Sequence, residues 1–153
     1  MRRDKQRGHV MIELALSATV MVSCLAGTVQ FGYTFYVYNQ LVTAVGNGGR
    51  YAALRTYRSA TPEDIEKGRT AIRNMVVFGN ARPAADAVPV AANLKPENIR
   101  VEWIPGDDGA PAFVDLNVTG YQVNALFGTM TLEGRPATRF PFVGTYAPEE
   151  KEP

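Results

Sequence analysis

Much of the usual chemical equipment is missing. The 153-residue chain has one cysteine, Cys24, and one histidine, His9. A lone cysteine cannot close an intramolecular disulfide. Cys24 also lies inside an apolar run, so cysteine usage says nothing about redox compartment. One histidine cannot complete a metal site with a second imidazole, and none is available beyond position 9 for nucleophilic catalysis. No G-x-S-x-G turn occurs. The acids outside the Asp107-Asp108 turn and the C-terminal tail are not grouped in a way that suggests acid–base work. No enzymatic activity, catalytic residue, cofactor or metal is therefore expected. The formal net charge is +1, and no basic face is evident beyond the first seven residues, which argues against a nucleic-acid partner.

Charge is missing too, over a long stretch. Between Glu13 and Arg50 there is no Asp, Glu, Lys or Arg. Within that stretch Val10–Val29 is a nearly continuous apolar run. A helix needs roughly 20 such residues to cross a bilayer, and this run supplies them. Ahead of it Arg2, Arg3, Lys5 and Arg7 face Asp4 alone, a net +3. The next basic residues are Arg50, Arg55 and Arg58. That bias places the N-terminus in the cytoplasm and residues beyond about 35 outside. A cleaved secretory signal fits less well. Its apolar region is usually roughly 7–15 residues and closes on a polar break. Here Ser23-Cys24-Leu25-Ala26 makes a poor cleavage site, and Ala26-Gly27-Thr28 a weak one.

The rest of the chain divides into recognisable pieces. Residues 1–8 read as a charged, disordered leader, and 9–57 as one long helix, in the membrane and then beyond it. Past the membrane Phe35, Tyr38, Val42, Val45, Gly49 and Ala52 recur at helical spacing and predict a packed stripe. Phe31, Tyr33, Phe35, Tyr36 and Tyr38 fall where an outer aromatic belt is expected. Gly46, Gly48 and Gly49 each weaken a helix by roughly 1 kcal/mol against alanine; either the helix breaks or hinges here or the glycines allow close packing, and a weakened but continuing helix is the preferred reading. Residues 58–147 form one small domain. Thr61-Pro62-Glu63-Asp64 starts a second helix that runs to about Phe78 and stops at Gly79, burying Ile65, Ile72, Met75 and Val76. The Ala/Pro-rich residues 79–96 read as a surface loop. Ile99, Val101 and Trp103, then Val114, Leu116 and Val118, alternate with polar residues and predict a hairpin across the turn at 105–109. Residues 121–132 are ambiguous. Thr138–Tyr146 predicts a third strand, with Phe140, Phe142 and Tyr146 on one side, held at an edge by Pro141. The tail 148–153 reads as disordered. The fold class is α+β: a long transmembrane N-terminal helix continuing outside, a second helix and a small antiparallel sheet.

The anomaly in the apolar run is Glu13. A carboxylate at a helix centre costs roughly 2.5–3.5 kcal/mol to insert, and less near the edge. Its bland account is a side chain reaching the headgroups. The sharper account involves Gly8 and His9. If the chain is cut after Gly8, His9 carries a new α-ammonium one helical turn from Glu13, now the fifth residue. An ammonium on one subunit can then pair with the carboxylate of the next, neutralising both and setting the register between stacked helices. Cys24 reads as inert packing. Asp107-Asp108 is a solvated turn, short of a calcium shell. Asn117-Val118-Thr119 matches a glycosylation sequon, but it lies mid-strand.

A basic leader ending in Gly8, an acid at Glu13 and an apolar helix behind it resemble the type IV prepilin signal. The likeness extends through Glu13-Leu14-Ala15-Leu16, Phe31-Gly32 and Gly46-Asn47-Gly48-Gly49-Arg50-Tyr51-Ala52-Ala53-Leu54-Arg55. Together these residues are similar to the TadE-like family, minor pilins or pseudopilins of the tight-adherence (Flp, type IVb) pilus system. The family pattern has Arg where Gly46 stands and Ala where Gly49 stands, and His9 is an unusual first mature residue. The resemblance covers residues 7 to about 57. It implies a non-enzymatic subunit in the bacterial inner membrane, with its C-terminal domain periplasmic, or in an extracellular pilus. It implies cleavage at Gly8–His9 by a membrane prepilin peptidase and subunit register through Glu13. The implied partners are other pilins through the N-terminal helix, the pilus assembly platform and membrane lipid. The alternative is an uncleaved, signal-anchored periplasmic binding protein.

Overall fold

The computed structural model describes residues 2–58, 61–107, 109–125 and 127–147. The tail 148–153, expected to be disordered, and Asp108 lie outside the described residues. Helix α1 spans Arg2–Ala53, 52 residues without a break, about 78 Å at 1.5 Å per residue. It takes in the backbone of the leader from Arg2 onward, where a disordered head was expected; Gly8 alone does not stop it.

Among the described residues, none of the most apolar stretch of α1 is buried. Three of its hydroxyl side chains fold back on the helix: Thr19, Ser23 and Thr28 donate to the carbonyls of Ala15, Thr19 and Cys24 at 2.8–2.9 Å. Each hydroxyl is thereby satisfied within the helix, as an apolar solvent requires. From Val37 upward the helix enters a core. Val37, Leu41, Ala44, Val45, Ala52 and Ala53 are buried there. The predicted stripe is thus right at Val45, Gly49 and Ala52 and wrong at its lower end, where Phe35 and Val42 are 66% and 45% exposed. The buried face is rotated toward Val37 and Leu41. The helix is apolar on several sides here, so periodicity alone did not choose the face.

Gly48 and Gly49 are close-approach positions. A Cβ on Gly48 would collide with Val76, and one on Gly49 would stand 2.5 Å from Phe140 Cδ2. The first contact is with α2 (Pro62–Phe78) and the second with a strand, so α1 is wedged against both. The helix ends at Ala53, earlier than the expected 57. The Val143 N–H donates to the Ala53 carbonyl at 3.0 Å, and the Tyr57 N–H to Thr145 at 2.9 Å. Tyr57–Arg58 becomes β1, paired in parallel with β7, Tyr146–Ala147. The C-terminal segment therefore takes over the hydrogen bonds that another helical turn would have used.

Helix α2 follows its sequence signals closely. The Thr61 hydroxyl accepts the Asp64 N–H at 3.1 Å, and Gly79 ends the helix with φ 68°. Its buried residues are Ile72, Val76 and Val77; Ile65 and Met75 are half-buried. The segment expected as a surface loop also feeds the core. Ala91 and Leu94 are buried, and the Val90 N–H donates to the Val77 carbonyl at 2.8 Å, laying the loop along α2.

After a 3-10 turn at Pro96–Asn98 come β2 (Ile99–Pro105) and β3 (Pro111–Val118), the expected antiparallel hairpin, with Ile99 opposite Val118 and Val101 opposite Leu116. Val114, Leu116 and Val118 are fully buried. β6 (Ala137–Pro141) adds to β3 as an edge strand. It stops at Pro141 rather than running on to Tyr146, because the chain turns back to α1. The ambiguous stretch is a second hairpin, β4 (Tyr121–Ala125) with β5 (Gly128–Leu132). The architecture is α+β with two small antiparallel sheets and the short parallel pair.

Candidate functional site

Residues Gly8, His9 and Glu13 sit within six positions of one another near the bottom of α1, all exposed. Glu13 lies four positions after His9, which places them one turn apart on neighbouring parts of the helix surface. Among the described residues Glu13 has no ion-pair or hydrogen-bond partner. Around and above it Val10, Met11, Ile12, Leu14, Leu16, Val20, Met21, Val22 and Leu25 are 60–72% exposed. An apolar surface of this extent is far larger than folded chains leave in water, and it marks a membrane or protein contact. From Gly8 upward the helix is long and apolar enough to cross a membrane. The Gly8–His9 peptide bond lies inside helix, and a Cβ on Gly8 would meet nothing.

The helix thus brings the three predicted residues together and holds them far along the chain from the domain. It gives Glu13 no partner within its own chain. A carboxylate placed so, in an apolar surface, is suited to pairing with a cation on another molecule.

A second feature escaped the sequence. An open groove of about 1130 Å³ lies between the top of α1, α2, Trp103 and Phe142. Tyr57 and Trp103 line it with ring centroids 4.8 Å apart and planes tilted by 39°, and the Arg69 guanidinium lies 5.9 Å from the Trp103 ring. The rim carries both signs, Arg55, Lys67 and Arg82 against Glu63 and Glu66. Lys67 pairs with Glu63 at 2.8 Å, and that hydrogen bond and charge hold its ammonium pKa above the usual lysine range. No local pattern announces the groove, since Trp103 and Phe142 reach it from distant parts of the chain. Among the described residues no three His, Cys, Asp or Glu side chains are grouped to hold a metal ion.

A third feature joins the domain to the helix low down. The Phe127 N–H, at the tip of the β4–β5 hairpin, donates to Gln30 Oε1 at 3.0 Å. The only sequence signal for this contact is indirect: residues 116–132 carry no charged side chain.

No curated protein and no solved structure matches the chain. Residues 8–50, from the glycine of the predicted junction through the packed part of α1, match the family model described as TadE-like protein, the same family that the residue pattern resembles.

Proposed function

We propose that this chain is a prepilin-like minor pilin or pseudopilin that serves assembly of a tight-adherence, type IVb, pilus or a related secretion system. The observation that carries the reading is the TadE-like match over residues 8–50, which coincides with an apolar helix left uncovered around a lone carboxylate, Glu13. In this reading α1 first holds the chain in the inner membrane, N-terminus inward. A prepilin peptidase then cuts after Gly8. The new His9 ammonium of one subunit meets Glu13 of its neighbour, and the exposed apolar faces of the helices pack together. Partner pilins and the assembly platform are the expected contacts. The chain acts through binding, with no chemical step of its own.

Intact mass of the membrane-extracted protein, with and without a prepilin peptidase, tests cleavage. A chain beginning at His9 is expected. A chain that keeps Arg2–Gly8 in the presence of active peptidase makes α1 a permanent signal anchor and removes the pilin reading. Glu13→Ala tests register: membrane insertion should persist, while recovery in pili or pilin complexes falls at least tenfold. Assembly at the wild-type level would refute the role given to Glu13.

A further inference from the structure

The apolar run that can span the membrane ends at Val29, and its 20 residues from Val10 measure about 30 Å as helix, the thickness of a bilayer's hydrocarbon core. Gln30 is the next residue. Its amide oxygen accepts the Phe127 N–H at 3.0 Å, so the hairpin tip is pinned at the level where hydrocarbon gives way to headgroups. Phe127 is 67% exposed there, and Met130, on β5 above the turn, is 50% exposed. No side chain from Leu116 to Leu132 is charged, so the hairpin carries no ion that lipid would have to desolvate. Phe31, Tyr33 and Tyr36 of α1 are exposed beside the same level. Arg135 lies higher, in a small hollow with Tyr38 and Val42, about 12 Å further along the helix axis.

We propose that the tip of the β4–β5 hairpin is a second membrane contact, with Phe127 and Met130 seated in the headgroup region of the outer leaflet of the bilayer that α1 crosses. The proposal rests on the reading of α1 as a spanning helix. The physical logic is that of an interfacial segment: apolar and aromatic side chains enter the headgroup boundary while polar backbone stays wet. α1 sets the depth of the domain, and the hairpin restrains the tilt of the helix in the bilayer, since a second foothold on one side of α1 resists leaning away from that side.

The test uses the full chain with Cys24→Ser, reconstituted in phosphatidylethanolamine/phosphatidylglycerol vesicles. A nitroxide label is placed in separate samples at Phe127→Cys, Phe31→Cys and Asp107→Cys. Collision with oxygen, which concentrates in lipid, is compared with collision with a water-soluble nickel chelate. Phe31 and Phe127 are both exposed, so labelling them leaves the core intact. The oxygen-to-nickel ratio at 127 should match that at 31 and exceed that at 107 several-fold. A lipid-like ratio at 31 with a water-like ratio at 127 overturns the hairpin contact and leaves the spanning helix standing. Water-like ratios at both positions remove the spanning reading and the proposal with it. A label at 127 shielded from both reagents also overturns it, since protein, such as another copy, would then cover the tip.

Discussion

Three glycines within four positions have opposite meanings. Gly48 and Gly49 are buried in close contact with Val76 and Phe140, whereas a Cβ on Gly46 would meet nothing within 4 Å. Gly46→Ala should therefore stabilise the domain by about 0.5–1 kcal/mol, the ordinary helix-propensity gain. Gly48→Ala should lose that gain and more, because the new methyl overlaps Val76 in a packed core; a net destabilisation of about 1–3 kcal/mol is expected. Denaturant melts of the two variants, followed by circular dichroism, check the opposite signs. The sequence showed the glycine cluster and allowed for close packing. It could not say which glycines touch, because the touching partners are 28 and 91 residues away.

Element boundaries were legible where the signal is local. Thr61, Pro62 and Gly79 bracket α2 at the predicted residues, since capping depends only on neighbours within one turn. Thr61→Ala removes the acceptor of the Asp64 N–H and should cost about 1 kcal/mol, read as a lowered denaturation midpoint with an unchanged slope. The β2–β3 hairpin was equally clear, because its alternation is strict. Boundaries set by distant partners were not. α1 ends four residues short of the position its pattern predicts because Val143, ninety residues later, donates to the Ala53 carbonyl, and β7 then draws Tyr57–Arg58 into a strand. The β4–β5 hairpin stayed ambiguous because its turn lacks the Gly/Asn pair that marks tight hairpins, and its pairing is decided by packing on α1. The Ala/Pro-rich segment looked solvated by composition, yet Leu94 is 1% exposed, since one leucine finds a gap that composition does not reveal.

At the scale of the whole molecule, one buried phenol ties the loop to the second hairpin. Tyr121 is 3% exposed, and its hydroxyl donates to the Ala92 carbonyl at 2.8 Å. Burial pushes its pKa above the ordinary tyrosine value, with nearby Tyr33 adding to the shift. As pH rises the unfolded chain therefore loses this proton before the folded one. The associated stability is complete below about pH 10 and is lost as pH climbs through the folded value. Tyr121→Phe should cost about 1 kcal/mol at pH 7 through the lost hydrogen bond, and its stability should fall less steeply than wild type above pH 10. Paired denaturant titrations at pH 7 and pH 10.5 measure both effects. Of the proposed site, the nearness of Gly8, His9 and Glu13 was legible, because they are neighbours in the chain and a lone carboxylate in an apolar run is a local anomaly. The groove and the Gln30–Phe127 contact were not, since each depends on segments brought together only by the fold.

The unbroken passage of α1 from its uncovered apolar part into the core has a mechanical consequence. No linker separates shaft from head. A pull along the shaft does not first extend a slack tether; it arrives as shear on side chains interdigitated at Gly48 and Gly49. A twist of the shaft likewise turns the head with it. In any array of such subunits the pitch of the shafts would dictate where every head points.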